Sequence, residues 1–357
     1  MKRRLFKTLQ VVSLFAGLAL FVYLIKQTGL DTLGHYLSMM GWGALAILAL
    51  SAARNYARAG SWYFSIEPAH RNVSFLSLTN VMLAGEAIKY LTTTGPFLSE
   101  PAKAAMVRRQ VPMLQGVSSV VVENIIYYLT VFVVMLAGLP ALVWLADVPD
   151  RMKVAGYVTA GVVIMSLLIT WAAIRWRWYV FARLLGFAAG RKPLRGRAGL
   201  QKVIEQTRKV EDNIYSFYEQ RRGAFCLVFA LNMAAHLINV VEVYLILALM
   251  KLPASISAGF VIEAATKLIN MAFFFVPARA GVYESGNALI LDALGMSAGA
   301  GVALAIIRKI RAFFWVGYGL AVIGWVVAKD RRGPVEMQAN RTRMNTEAAD
   351  FHGSEPR

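Results

Sequence analysis

The chain reads as an all-α, polytopic helical membrane protein with about six full spans and two broken helical hairpins. Three observations predict this. Of its 357 residues, 58% are hydrophobic and 16% charged, against roughly 25% charged in a soluble domain. The mean hydropathy is +0.53, and long apolar runs fill most of the sequence. Two of those runs also hold ionisable residues and a Pro/Gly break, which a segment that only crosses lipid would not contain.

Charge and cysteine content exclude several classes. The net charge of +18 could suggest nucleic acid. No basic patch lies in a soluble module, so the cations fit cytoplasmic loops beside anionic lipids instead. The single cysteine, Cys226, excludes an internal disulfide and a cysteine metal site. The four histidines lack HExxH spacing. Neither a metal nor a cofactor is expected.

The elements follow in order. MKRR precedes an apolar run with no small-residue cleavage site after it, so residues 8–26 read as a retained first helix. Span two is about 37–60, with Arg54 and Arg58 in its last turns, placed to snorkel to the cytoplasmic interface. Next comes a stretch at about 74–103, containing GEAIKYLTTTGPFLSEPAK from Gly85 to Lys103. Gly95 and Pro96 break it, because proline lacks an N–H and clashes with the preceding turn. Spans three and four are about 115–145 and 153–174. Residues 175–222 carry twelve Lys/Arg against four Asp/Glu and begin RWRWYVFARLLGF. That interleaving predicts an amphipathic piece at headgroup level, followed by a soluble helix. Span five is about 223–250. A second broken stretch, about 258–295, contains EAATKLINMAFFFVPARAGVYE from Glu263 to Glu284, with its hinge at Pro277. The last span is about 298–328. Residues 1–328 thus form one transmembrane domain, and the polar tail 329–357 is expected to be disordered.

Lysine and arginine placement puts both termini, the 175–222 loop and the Lys103/Arg108/Arg109 segment on the cytoplasmic side. Six full spans allow this only if each broken stretch returns to the side it entered, the two entering from opposite faces. That is the pattern of an inverted repeat with a site between broken helices. If the stretches cross instead, there are eight spans.

Several polar groups lie inside spans. Glu123, Asn124, Tyr127 and Tyr128 occupy span three. Asn232, His236 and Asn239 form one stripe on span five, with Glu242 near it, and Arg308, Lys309 and Arg311 lie within the last span. The asparagine, histidine and tyrosine residues read equally as interhelical hydrogen bonds. The glutamates read as ion-pair staples or as the lining of a hydrated cavity. Three central cations with four or more glutamates exceed what a staple needs, which favours the cavity. Glu100 and Glu284 are expected to face the cations of the last span. Glu86 and Glu263 read as the starts of the helices leading in, where a carboxylate stabilises a helix N-terminus.

Two blocks carry a family resemblance. GPFLSEPAKAAMVRRQVPMLQGVSSVVVENIIYYL and FVPARAGVYESGNALILDALGMSAGAGVALAIIRKI are similar to blocks of the bacterial flippase-like membrane proteins related to the transmembrane domain of lysylphosphatidylglycerol synthase. The chain departs from that family at Ser99, Lys103 and Asn124, and at Ala278 and Arg279, which stand where two glycines are usual. The resemblance maps Glu100, Lys103, Glu123, Gly281, Glu284 and Arg308 onto motif positions. It implies translocation of a lipid or lipid-linked headgroup between leaflets of the bacterial inner membrane. With Asn124, His236 and Arg311, these are the candidate substrate-binding residues, and no catalytic residue is assigned.

The leading expectation is a transporter that takes a membrane lipid or lipid-linked substrate and is not an enzyme. Anionic lipids at the cytoplasmic face would be further partners. A structural or regulatory partner of a membrane enzyme is the alternative. An intramembrane lipid-modifying enzyme lacks a visible nucleophile–base pair. The longest polar segment, under about 50 residues, cannot hold an aminoacyl-transferase domain.

Overall fold

Serines start the two helices that lead into the broken stretches. Ser74 Oγ accepts the Ser77 N–H at 3.3 Å, and Ser255 Oγ accepts the Ala258 N–H at 3.0 Å, each satisfying a donor that the first helical turn leaves free. The structure, a computed structural model, describes residues 29–92, 95–145, 150–189 and 198–352, with Tyr23 and Lys26. The first span read at 8–26 falls almost entirely outside the described residues.

The described residues form twelve α-helices and no strand. They are α1 (Leu30–Ser38), α2 (Gly43–Ser65), α3 (Phe75–Leu91), α4 (Pro96–Val107), α5 (Met113–Leu145), α6 (Asp150–Arg175), α7 (Val180–Ala189), α8 (Ala198–Gln220), α9 (Arg222–Leu249), α10 (Ile256–Ala272), α11 (Val282–Ala293) and α12 (Ala298–His352). Among the described residues, Met113–Ala141, Gly156–Arg175 and Arg222–Leu249 are each long and apolar enough to cross a membrane. Helices α1 and α2, bent by 78°, would together make a fourth span. The backbone of α12 is helical to His352, and residues 353–357 of the tail lie outside the described residues. Within 329–352, four Arg, three Ala, two Glu and two Met are good helix formers.

Both broken stretches are hairpins. Gly85 on α3 lies against the Lys103 side chain on α4, and Gly286 on α11 lies against Ile269 on α10. Helices α4 and α11 have twelve residues each, about 18 Å at 1.5 Å per residue. That is too short for the roughly 30 Å of a hydrocarbon core. Gly95 and Gly281 precede them with φ of 35° and 78°, a region open to glycine at little cost. In the second hairpin, Ala278 and Arg279 also have positive φ, 48° and 49°. Both residues thus hold a conformation natural to glycine, at about 1–2 kcal/mol each.

The packing has an internal two-fold pattern. Helix α2 packs on α9, α3 on α4, α4 on α5, and α3 on α12. Exchanging α2 with α9, α3 with α10, α4 with α11 and α5 with α12 maps the α2–α9 contact onto itself and turns each of the others into one that is also present. The exchanged pair α2 and α9 run antiparallel. Gly43 at the start of α2 meets Leu249 at the end of α9, while Asn232 near the start of α9 donates to the Ser61 hydroxyl near the end of α2 at 2.6 Å. A two-fold axis relating antiparallel helices lies across them, which is the arrangement of an inverted repeat. One apolar cluster centres on Trp62, Leu78 and Val107 of the first half; a larger one joins Ile47, Val131 and Met135 of the first half to Ile246, Ile262 and Leu304 of the second.

Equivalent glycines make the α5–α10 and α12–α3 contacts between the halves. A Cβ on Gly138 of α5 would lie 2.3 Å from Ala264 Cβ of α10, and one on Gly319 of α12 would lie 2.4 Å from the Leu83 carbonyl of α3. Gly138→Ala and Gly319→Ala should therefore each cost about 1–3 kcal/mol by overpacking. Thermal melts of detergent-purified protein should show lowered midpoints for both. Gly324→Ala, which has open space around its Cβ, should leave the midpoint unchanged. The topology is checked by single cysteines in a Cys226→Ser background. Positions 74 and 109 should label from one face and positions 255 and 295 from the other; labelling of either pair from opposite faces would exclude returning hairpins.

Candidate functional site

A cavity of about 640 Å³ lies between the two broken stretches. Helix α2 contributes Arg54 and Arg58, α3 contributes Glu86 and Lys89, and α10 contributes Glu263 and Lys267. The second hairpin tip adds Arg279, and α12 adds Arg308, Lys309 and Arg311. Tyr127 and Tyr128 of α5 and His236 and Asn239 of α9 complete the polar wall.

Burial forces these charges into pairs. Arg58 joins Glu86 at 3.3 Å and Glu123 at 3.0 Å, and its guanidinium lies 4.1 Å from the centre of the Tyr127 ring. Lys89 reaches Glu86 at 3.6 Å. In the other half, Arg308 sits between Glu242 at 3.5 Å and Glu263 at 2.7 Å. Lys267 meets Glu263 at 2.6 Å, Arg311 pairs with Glu242, and Lys309 pairs with Glu284. Eight cations therefore face five carboxylates, three of which (Glu123, Glu242 and Glu284) sit behind the cavity wall. Among the described residues, neither Arg54 nor Arg279 has an ion-pair partner; Arg54 donates only to the Asn55 side-chain oxygen at 2.7 Å. Buried N–H groups without acceptors remain on Arg54, Arg58, Arg279, Arg308 and Arg311. Such donors are costly to leave unmet, and the surplus of cations over carboxylates leaves the cavity lining net positive.

The expected site residues separate into groups. His236, Arg308 and Arg311 line the cavity. Glu284 is fully buried, accepts the Gly281 N–H at 2.9 Å at the start of α11, and holds Lys309 from behind. Glu123 is likewise buried beneath Arg58. Glu100 lies elsewhere, with Asn124 in the wall of a second, mostly apolar cavity of about 300 Å³. It pairs with the buried Lys103 and accepts the Asn124 amide at 2.8 Å. Glu100 therefore does not face the cations of α12. Gly95 lines the main cavity, as does the Ala278–Arg279 turn that follows Pro277; Pro96 is the first residue of α4.

Two sequence expectations are corrected. Arg54 and Arg58 do not snorkel to an interface. Helix α2 continues to Ser65, which leaves both in its middle, against the cavity. Glu86 and Glu263 do not begin helices. The serine caps start α3 and α10 at Phe75 and Ile256, so Glu86 falls near the end of α3 and Glu263 at mid-helix. Their matching i,i+3 and i,i+4 lysines, Lys89 and Lys267, were the signal for a shared role. Glu242 stood beside the polar stripe, but only packing shows that it holds two arginines.

A family model for the lysylphosphatidylglycerol synthase TM region matches residues 10–320. The chain belongs to that family. It is accordingly a multi-pass membrane protein of a lipid-related family. No curated protein and no solved structure matches the chain.

Removing one partner of a buried pair is far worse than removing an exposed one. Glu242→Gln leaves Arg308 and Arg311 short of a carboxylate and should destabilise by about 3–5 kcal/mol. Glu86 is about a third exposed, and Glu86→Gln should cost less than about 1 kcal/mol. Urea or thermal unfolding in detergent would rank the two; equal losses would contradict the assignment of Glu242 as the central acceptor.

Proposed function

We propose that the protein moves a lipid with an anionic headgroup between the leaflets of the inner membrane, without altering it chemically. The surplus of arginine and lysine donors in the cavity carries this reading. A charged headgroup cannot cross hydrocarbon unaided. Here the guanidinium groups of Arg54, Arg279, Arg308 and Arg311 in the cavity lining would replace its lost water. The wall also bears apolar groups next to the cations. Phe97 and Phe274 line the cavity and are 78% and 51% exposed, which suits acyl chains that stay in the bilayer while the headgroup enters. The inverted repeat would let the two hairpins exchange roles as the cavity opens to one face and then the other. Both termini would be cytoplasmic, with the basic segment from Arg175 resting on anionic lipids.

The strained second tip supports the same reading. Backbone strain persists where the surroundings impose it, often at functional sites. At Arg279 it sets a guanidinium in the cavity wall with no carboxylate to neutralise it.

Arg54→Gln and Arg279→Gly remove cations without orphaning a carboxylate, so the fold should survive both. In reconstituted vesicles each should slow movement of anionic lipid by about tenfold or more, the worth of one charged hydrogen bond. Arg279→Gly should also raise the thermal midpoint by relieving the positive φ. Lipid movement at wild-type rates in both variants would refute the proposal, and conversion of the lipid to a new species by the purified protein would reassign it as an enzyme.

A further inference from the structure

Helix α7 turns its apolar side away from the protein that holds it. It packs on α8, and its buried residue is the small Ala182, whose N–H donates to Glu211 of α8 at 3.1 Å. Val180, Phe181, Leu184 and Phe187 lie together on the opposite side, within about 120° of one another at 3.6 residues per turn. Phe181, Leu184 and Phe187 are 59%, 61% and 70% exposed. Arg183, also exposed, flanks this stripe.

Polar groups of α8 hold α7 in that posture. Glu211 also accepts the Phe181 N–H at 2.9 Å, so one carboxylate satisfies two donors that the first helical turn leaves free. The Tyr179 hydroxyl donates to Asp212 at 2.6 Å, its N–H donates to the Tyr215 hydroxyl at 3.0 Å, and Arg177 pairs with Glu219. Arg177 and Tyr179 both have φ of 47°, a region that side chains other than glycine rarely enter. Such strain persists where the surroundings impose it. Helix α8 is tied to the bundle in turn, since Asn213 donates to the Ser118 hydroxyl of α5 at 3.0 Å.

The turn begins where the hydrocarbon ends. The apolar part of α6, Gly156–Arg175, has 20 residues, about 30 Å at 1.5 Å per residue, which matches a bilayer core. Trp171 on α6 lies 6.0 Å from Trp176, and Trp176 lies 6.0 Å from Trp178, measured between ring centres. All three are exposed. An aromatic band therefore joins the exposed side of α6 to the stripe on α7.

We infer that Trp176, Trp178 and the stripe on α7 form a preset foot that enters one leaflet at headgroup level, and that its partner is the bilayer interface itself, whatever its charge. Tryptophan favours that depth, and an amphipathic helix lying there buries its apolar side. The stripe is uncharged, and Glu219 already neutralises Arg177. This contact is apolar, unlike the electrostatic attraction proposed above for the basic segment, and it is independent of what the cavity carries.

The test uses full-length protein carrying Cys226→Ser and one new cysteine, labelled with an environment-sensitive fluorophore, in vesicles of pure phosphatidylcholine. The cysteines are Leu184→Cys and Phe187→Cys on the stripe, Lys209→Cys on the exposed side of α8, and Leu168→Cys on α6. Aqueous iodide should quench position 209 and fail to quench 184 and 187. Lipids bearing a nitroxide near the headgroup should quench 184 and 187 more than lipids bearing it deep in the chain, with the reverse order at 168. Adding Glu211→Ala should restore iodide quenching at 184 and leave 168 unchanged. Iodide quenching of 184 and 187 equal to that of 209 overturns the inference. So does protection that appears only when phosphatidylglycerol is added, which would make the contact electrostatic. Protection found only in native membranes would assign the stripe to a protein partner instead. Unchanged protection in folded Glu211→Ala would refute the role of α8 in presetting the foot.

Discussion

Charge compensation under burial is the constraint on which the rest of this structure depends. Glu242 is completely buried on α9, and both arginines that it holds come from α12. Arg308 spans from Glu242 to Glu263 on α10, so one guanidinium ties three helices together. In a low-dielectric interior neither partner tolerates the absence of the other. The helices must therefore meet at these residues, and a polar cavity forms where the pairs run out.

The internal repeat distributes this load unevenly. Glu86 and Glu263 occupy equivalent places on α3 and α10, each with a lysine one turn on. Their other partners differ. Arg58 reaches Glu86 from α2, whereas the equivalent helix α9 offers Asn239 to Glu263, and the arginine comes from α12 instead. The backbone is two-fold while the chemistry is not.

Much of the architecture was legible in the sequence. Apolar runs gave the long helices because lipid demands internally bonded backbone, and Gly95-Pro96 and Pro277 marked both hairpin tips. Helix ends were the weak point. Reading Glu-Ala as a helix start misplaced Glu86 and Glu263, since the serine caps that set the true starts lie eight and twelve residues upstream, at Ser255 and Ser74. Ending the second span at 60 sent Arg54 and Arg58 to an interface that lies further along the chain.

The sequence by itself determined the fold class, the two breaks and the presence of more buried charge than lipid tolerates, because composition and local backbone chemistry dictate these. Only the tertiary structure decided which charges pair. Pairing depends on helices far apart in sequence, such as Glu242 with Arg311. That choice consumed Glu284 and Glu123 as supports, placed Glu100 at another cavity, and left Arg54 and Arg279 without an ion-paired carboxylate among the described residues. The surplus that gives the cavity its chemistry exists only after the pairing is complete, so no single stretch of the chain displays it.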